Sequence, residues 1–279
     1  MKLLRFILIV LIACFLWAST SWASLDFAGA THKVDHGSAT SLDDLLANTV
    51  MAWVWVDTAV NDGRIFQKGY LAAHSTYNTF GFDSTVRFKR EMDRATTDCA
   101  AFATLTNFSA WGLGKWLFIA AGLDQAGVDA DQYVIMGDLS TSAAEPSSYT
   151  TRAVGSGAYN TDAAASFITG QRGNDGLNWD GKIAFLAFYN RRMPIAEAKI
   201  HQFHPYKASG AVLFEEYGFN GTSTQPDWSG TQNTGTVTGA TVAVHVPLGP
   251  IFGFDDAMPS TAAVSATCPQ TLTLLGVGC

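Results

Sequence analysis

Glu215-Glu216 and Asp129/Asp131 are the carboxylate pairs closest to a spacing that could cut a bond. Retaining hydrolysis of a glycosidic bond needs two carboxyls about 5–5.5 Å apart. Neighbouring residues on a strand point to opposite faces, so Glu215 and Glu216 do not converge on one bond. Asp129 and Asp131 alternate suitably but lie in a Gly/Ala-rich stretch that reads as a solvated turn. The six histidines, His32, His36, His74, His201, His204 and His245, lack metal-ligand spacing. His201 and His204 fall at the end of a predicted helix, where the dipole favours them without chemistry. No nucleophile elbow, phosphate-binding loop or dinucleotide fingerprint is present. No residue is assigned a catalytic role.

Binding is the other chemistry such residues support. An aromatic ring covers the apolar face of a sugar while Asp, Asn or Gln bonds its hydroxyls. Trp53, Trp55 and Trp116 lie in apolar runs and are expected in the core. Trp111, Trp179 and Trp228 sit among Gly, Asp, Asn and Ser in predicted loops. Trp179-Asp180, following Gly173-Asn174-Asp175-Gly176, is the leading ligand patch, with Asn174, Trp111 and Trp228 as further candidates. The competing reading folds Trp179 back onto the edge of the core, since Trp is mostly buried on average. Asp175 and Asp180 are candidate ligands for Ca²⁺, which takes loop oxygens; no cofactor is required.

The elements that must position these residues are strands. The chain has 279 residues, 48% hydrophobic and 15% charged, which favours a packed core over disorder. Thr49–Val56 places Trp53 and Trp55 on one face and Val54 and Val56 on the other, as in a strand inside a sandwich. Asn61-Asp62-Gly63 reads as a tight turn leading into Arg64–Lys68. Lys115–Ala121, Gln132–Met136, Gly181–Tyr189, Val212–Phe214 and Gly235–Val246 are the other predicted strands. Ser140–Ala165 reads as a long loop with short strands. Pro194 suits a first helical position, and Ala196, Ile200 and Phe203 at i, i+4 and i+7 predict a buried apolar stripe. Pro205 ends that helix, which is expected to cap an open end of the core.

Met1–Ala23 has a basic start, an apolar run and a small-residue end, the layout of a secretory signal cleaved after Ala23. Leu11-Ile12-Ala13-Cys14 supports a minor alternative, a lipid anchor on Cys14. Lys2 and Arg5 are the leader's only charges, so its removal takes the net charge from −7 to −9. An acidic chain of this kind lacks the clustered cations that phosphate binding needs. Arg87-Phe88-Lys89-Arg90, followed by Glu91 and Asp93, reads as mixed-charge surface. Cys268–Cys279 is a candidate disulfide and Cys99 a buried single thiol. Asn107 and Asn220 are glycosylation sequons.

The segments Gly181-Lys182-Ile183-Ala184, Tyr189-Asn190-Arg191-Arg192-Met193 and Ala196–His201 resemble a signature of laminin-G-like, concanavalin A-like jelly-roll domains. Leu25-Asp26-Phe27 with Gly29, Val34-Asp35 with Gly37, Ala52-Trp53-Val54 and Trp116 with Ile119-Ala120 resemble further family strands in the expected order. The match covers about Ser24–Tyr206. His32-Lys33 replaces an acidic position of the family, which weakens a carried-over calcium site. Pro194 replaces the usual capping Ser. Asp227–Gly235 resembles a segment that often precedes such domains, yet here it follows. Lys199-Ile200-His201 is similar to a lyase motif but lacks Tyr and Arg partners.

The expected fold is an all-β jelly-roll sandwich of two antiparallel sheets with one short capping helix. The expected organisation is a leader 1–23, a sandwich 24–257 with closing strands in 207–257, and a tail 258–279. The resemblance implies a secreted, non-catalytic carbohydrate-binding or adhesion module, with a glycan or surface glycoconjugate as partner. It has no nucleic-acid partner and no membrane span in the mature chain, and a homo-oligomer is allowed. The second reading is a structural or decoration subunit of an extracellular assembly or virus particle, and the third a glycan hydrolase or lyase. Fold analogy alone does not decide among them.

Overall fold

The computed structural model describes residues 23–69, 78–104, 112–172, 176–218 and 220–248. Its strands are β1 (Ala23–Asp26), β2 (Lys33–Asp35), β3 (Ala47–Val56), β4 (Arg64–Lys68), β5 (Asn78–Phe82), β6 (Phe88–Met92), β7 (Cys99–Ala103) and β8 (Trp116–Asp124). There follow β9 (Tyr133–Asp138), β10 (Tyr149–Ala153), β11 (Phe167–Thr169), β12 (Gly181–Tyr189), the helix α1 (Ile195–Ile200), β13 (Ala211–Glu216), β14 (Thr236–Thr238) and β15 (Thr241–Val244). One sheet runs β15-β1-β12-β3-β8-β9, with β13 also pairing with β12. The other runs β10-β7-β6-β5-β4-β11-β2-β14. The result is the all-β sandwich of two antiparallel sheets that the sequence predicts.

Alternation builds the space between the sheets. Val50, Ala52, Val54 and Val56 of β3 face Phe66, Phe80, Phe88 and Phe167 of the opposite sheet in one buried cluster. Phe66 stacks on Phe167 with ring centres 4.7 Å apart. Fully burying each such ring is worth about 1.5–3 kcal/mol. The register leaves no room for a side chain at Gly181, because a Cβ there would strike the Trp55 carbonyl oxygen.

The seven-stranded sheet is apolar on its outer face too. Met51, Trp53, Phe118, Tyr133, Phe185 and Tyr189 form a second buried cluster with Met193, Ala198 and Val246. Helix α1 therefore covers a sheet face and not an open end of the core. Its buried face also differs from the predicted stripe. Ala198, His201 and Gln202 are buried, whereas Ala196 is exposed and Ile200 and Phe203 are 52% and 40% exposed. Hydrogen bonds explain the choice. Trp53 Nε1 donates to the Gln202 carbonyl at 2.9 Å, and Gln202 Nε2 donates to the Asp138 and Thr141 carbonyls at 2.7 and 2.8 Å. His201 stacks on Tyr206 at 4.2 Å, and burial holds it neutral with a pKa of about 4, so it adds no charge to the helix end.

Two further expectations change. Gly235–Val246 is not one strand: Gly239 takes φ +70 and sends β14 and β15 into different sheets. Arg87–Arg90 is not mixed-charge surface. Phe88, Lys89 and Arg90 belong to β6, and Arg90 lies between the sheets, donating to the Thr79 carbonyl at 3.0 Å and to Asn48 Oδ1. Such a buried guanidinium is tolerated because both Nη groups find acceptors, and its face lies over the Phe66 ring.

Candidate functional site

The two sheets differ on their outer faces. The seven-stranded sheet is greasy there and carries α1. The eight-stranded sheet presents Lys33 and Asp35 on β2, Gln67 on β4, Thr79 on β5, and Lys89 and Glu91 on β6. Strand parity follows from the core: Val34, Phe66, Phe80, Phe88 and Met92 point inward, so their neighbours point out. Lys89 pairs with Glu91 at 3.1 Å, and Arg64 Nε donates to Gln67 Oε1 at 3.3 Å.

This polar face opens to solvent at its β2–β14 edge. Register sets Thr236 opposite Asp35, Val237 opposite Val34 and Thr238 opposite Lys33. Val34 is buried in the core and Val237 packs against it. Lys33, Asp35, Thr236 and Thr238 therefore stand together on the outer side. With His36, Gly37 and Thr234 they line an open groove of ≈ 440 Å³. The three threonines are exposed, and Lys33 and Asp35 half-buried. Asp35 is the one carboxylate among these lining residues.

A loop positions the β14 wall. Asp227 Oδ1 accepts from the backbone N–H groups of Phe214 and Ser229 at 3.0 and 2.8 Å. Its Oδ2 accepts from Ser229 Oγ, Thr231 Oγ1 and the Asn233 N–H at 2.7, 3.0 and 2.9 Å. Asn233 Nδ2 then donates to the Val212 carbonyl at 2.6 Å and to Ser41 Oγ at 2.9 Å. The Asp227–Gly235 segment is thus a clasp that delivers Thr234, Thr236 and Thr238.

From His36, which lines the groove, a buried polar cluster runs inward. His36 Nδ1 donates to the Asn233 carbonyl at 3.0 Å and lies 3.5 Å from Glu215 Oε1. Tyr217 donates to Thr169 Oγ1 at 3.0 Å, and both hydroxyls lie 3.4 Å from His36 Nε2. Burial lowers the His36 pKa to about 4 and pushes Glu215 well above the usual carboxylate range. Burial thus disfavours the charged form of both groups. Glu216 points the other way, to His245 Nε2 at 3.3 Å, and burial raises its pKa to about 8. The two glutamates lie on opposite faces, as alternation requires.

The expected ligand residues are not gathered in one place. Trp179 is 1% exposed and stacks on Phe82 at 5.1 Å; its Nε1 donates to the Trp55 carbonyl at 3.2 Å. A ring packed into the core cannot cover a sugar, so Trp179 is a core residue. Asp180 is half-buried, and its backbone carbonyl accepts from the N–H of Asp57 at 3.0 Å. Trp228 is 37% exposed on the Asp227 clasp, outside the groove lining. Trp111, Asn174, Asp175, Cys14, Cys268 and Cys279 lie outside the described residues. No group of three or more metal-ligating side chains occurs among the described residues. Cys99 is buried, and burial raises its thiol pKa to about 11. Asp129 and Asp131 serve their loop, accepting from the N–H groups of Val154 at 2.8 Å and Val128 at 2.9 Å.

No family model matches the chain, and no curated protein matches it by sequence. Solved structures do. A Bacteroides ovatus protein provisionally named as carbohydrate binding aligns at TM-score 0.58 and 12% identity, covering 83% of this chain and 62% of that one. A heptameric SAP-like pentraxin from Limulus polyphemus aligns at TM-score 0.45 and 10% identity, over 81% of this chain and 91% of that one. Domains LG4-5 of the mouse laminin α1 chain align at TM-score 0.40 and 13% identity, over 62% of this chain and 43% of that one. The chain thus spans somewhat under two thirds of the first of these. The first of these likenesses shows a shared fold, a jelly-roll sandwich of two antiparallel sheets.

Proposed function

We propose that this protein is a secreted, non-catalytic glycan-binding module, and that the β2–β14 groove receives the saccharide. The carrying observation is the groove lining itself. Three exposed threonine hydroxyls, delivered by the Asp227 clasp, stand beside one carboxylate and one ammonium on β2. Such a wall donates and accepts many hydrogen bonds, which suits a hydroxyl-rich ligand. The Bacteroides ovatus structure that shares the fold is provisionally named as carbohydrate binding, which is consistent with this reading. A leader 1–23, a sandwich 24–257 and a tail 258–279 complete the proposal, with secretion or cell-surface display as the location. Among the described residues no helix is long and apolar enough to cross a membrane.

The test is a glycan array probed with the wild-type chain and with an Asp35→Ala/Thr236→Val variant, each with and without Ca²⁺. Binding should fall about tenfold in the variant, the scale of losing one or two hydrogen bonds to a ligand. Equal binding by both would remove the groove from the account. A second reading, a subunit of an extracellular assembly, is favoured by exposed apolar side chains: Ile200 and Phe203 on the helix face, and Val244, 80% exposed on β15. A sedimentation coefficient that grows with protein concentration would support it.

A further inference from the structure

We propose a second saccharide-contact site, on the other sheet, centred on Trp55 and taking a neutral pyranose. It rests on the glycan-binding reading but uses none of the groove residues.

Register sets a row across four strands of the seven-stranded sheet. Trp116 on β8 lies opposite Trp55 on β3, Trp55 opposite Lys182 on β12, and Lys182 opposite Asp26 on β1. These side chains share the outer face, at the end of β3 beyond the residues under α1. Trp53, two residues earlier, shows what a structural Trp looks like here: it is fully buried and bonded to the Gln202 carbonyl. Trp55 is half-buried. Trp116 holds it edge to face at 5.8 Å. Its Nε1 donates to Asp57 Oδ1 at 2.9 Å, which fixes the ring by its polar end. The indole is therefore oriented at the margin of the apolar cluster, packed against it and only partly covered.

The flanking charges define the ligand. Lys182 Nζ sits over one face of the Trp55 ring, 5.2 Å from its centre, and 2.9 Å from Asp57 Oδ2, so a sugar must stack on the opposite face or displace the ammonium. The two charges cancel, so the patch has no preference for an acidic or a basic sugar. Asp57 is exposed and keeps lone pairs for hydroxyls, while Lys182, on a flexible stem, can donate to one. Indole plus carboxylate plus ammonium is the combination that stacks a pyranose and bonds its hydroxyls. Adjacent strands lie about 4.8 Å apart, close to the length of one residue in a sugar chain. Trp116 is buried at 6% exposure, so the row can follow a short linear glycan from Trp55 toward Asp26.

The test is isothermal titration of the full chain with cellohexaose, xylohexaose and mannohexaose. At least one should bind, and Trp55→Ala should weaken it about tenfold or more. Trp55→Phe should retain part of the affinity, and Asp57→Ala, a substitution at an exposed site, should weaken binding even if Trp55→Ala proves poorly folded. The Asp35→Ala/Thr236→Val chain should keep a Trp55-dependent binding event. Unchanged affinity in Trp55→Ala and Asp57→Ala, or silence with all three hexasaccharides, would overturn the site. Binding lost in the groove variant but kept in Trp55→Ala would leave the groove standing and remove this site alone.

Discussion

Single residues carry two tests. Trp179 was the leading ligand candidate on sequence because it stands among Asp, Asn and Gly; its ring instead stacks on Phe82 inside the core. Trp179→Ala should therefore cost about 3–5 kcal/mol in denaturant unfolding and leave glycan affinity intact in whatever remains folded. A loss of binding with unchanged stability would contradict that assignment. Glu216 gives the second test. Its folded pKa of about 8 exceeds the ordinary carboxylate value, so the folded state holds a proton that the unfolded state releases. That stabilisation is complete below about pH 4.5 and is lost as pH rises through about 8. Glu215 acts in the same direction. His36 and His201 act oppositely, losing stability as pH falls from 6.5 toward 4. The two effects roughly offset each other between these limits. The melting temperature should hold across mildly acidic pH and fall from pH 6.5 to 8, and Glu216→Gln should flatten the fall. A wild-type melting temperature that rises over that interval would refute the sign.

At the scale of elements, legibility followed the pattern of the apolar residues. The expected β12 has its true ends, because the apolar run Ile183–Tyr189 is bounded by Gly181-Lys182 and Asn190. β6 was missed because Lys89, Arg90 and Glu91 interrupt the pattern, and their burial depends on partners from distant strands. The helix was found, but not its buried face. Gln202 and His201 enter the interior through hydrogen bonds and ring stacking, which periodicity does not register. In the sequence Asp227–Gly235 stands as a motif without a role. Its five accepted hydrogen bonds now give it one. Asp227→Ala should destabilise the chain by about 2–4 kcal/mol and also weaken glycan binding, since Thr234 and Thr236 follow the loop. Asp227→Asn, which keeps two acceptor sites on its carbonyl oxygen, should do less of both in urea titration and binding assays.

For the whole molecule, the informative feature is the asymmetry of the two sheets. One outer face is apolar and carries α1, and the other is polar and open at the β2–β14 edge. The groove was not legible in sequence because its walls lie about two hundred positions apart and consist of Thr, Lys and Asp, which form no motif. Aromatic residues drew attention to loops, whereas the fold built its hydroxyl-lined edge from a strand pair. The most direct measurement is amide chemical-shift mapping by NMR, on isotope-labelled protein titrated with the strongest glycan from the array. The account predicts shifts concentrated in Lys33–Gly37 and Thr234–Thr238. Saturable binding that leaves both of those segments unmoved would contradict it.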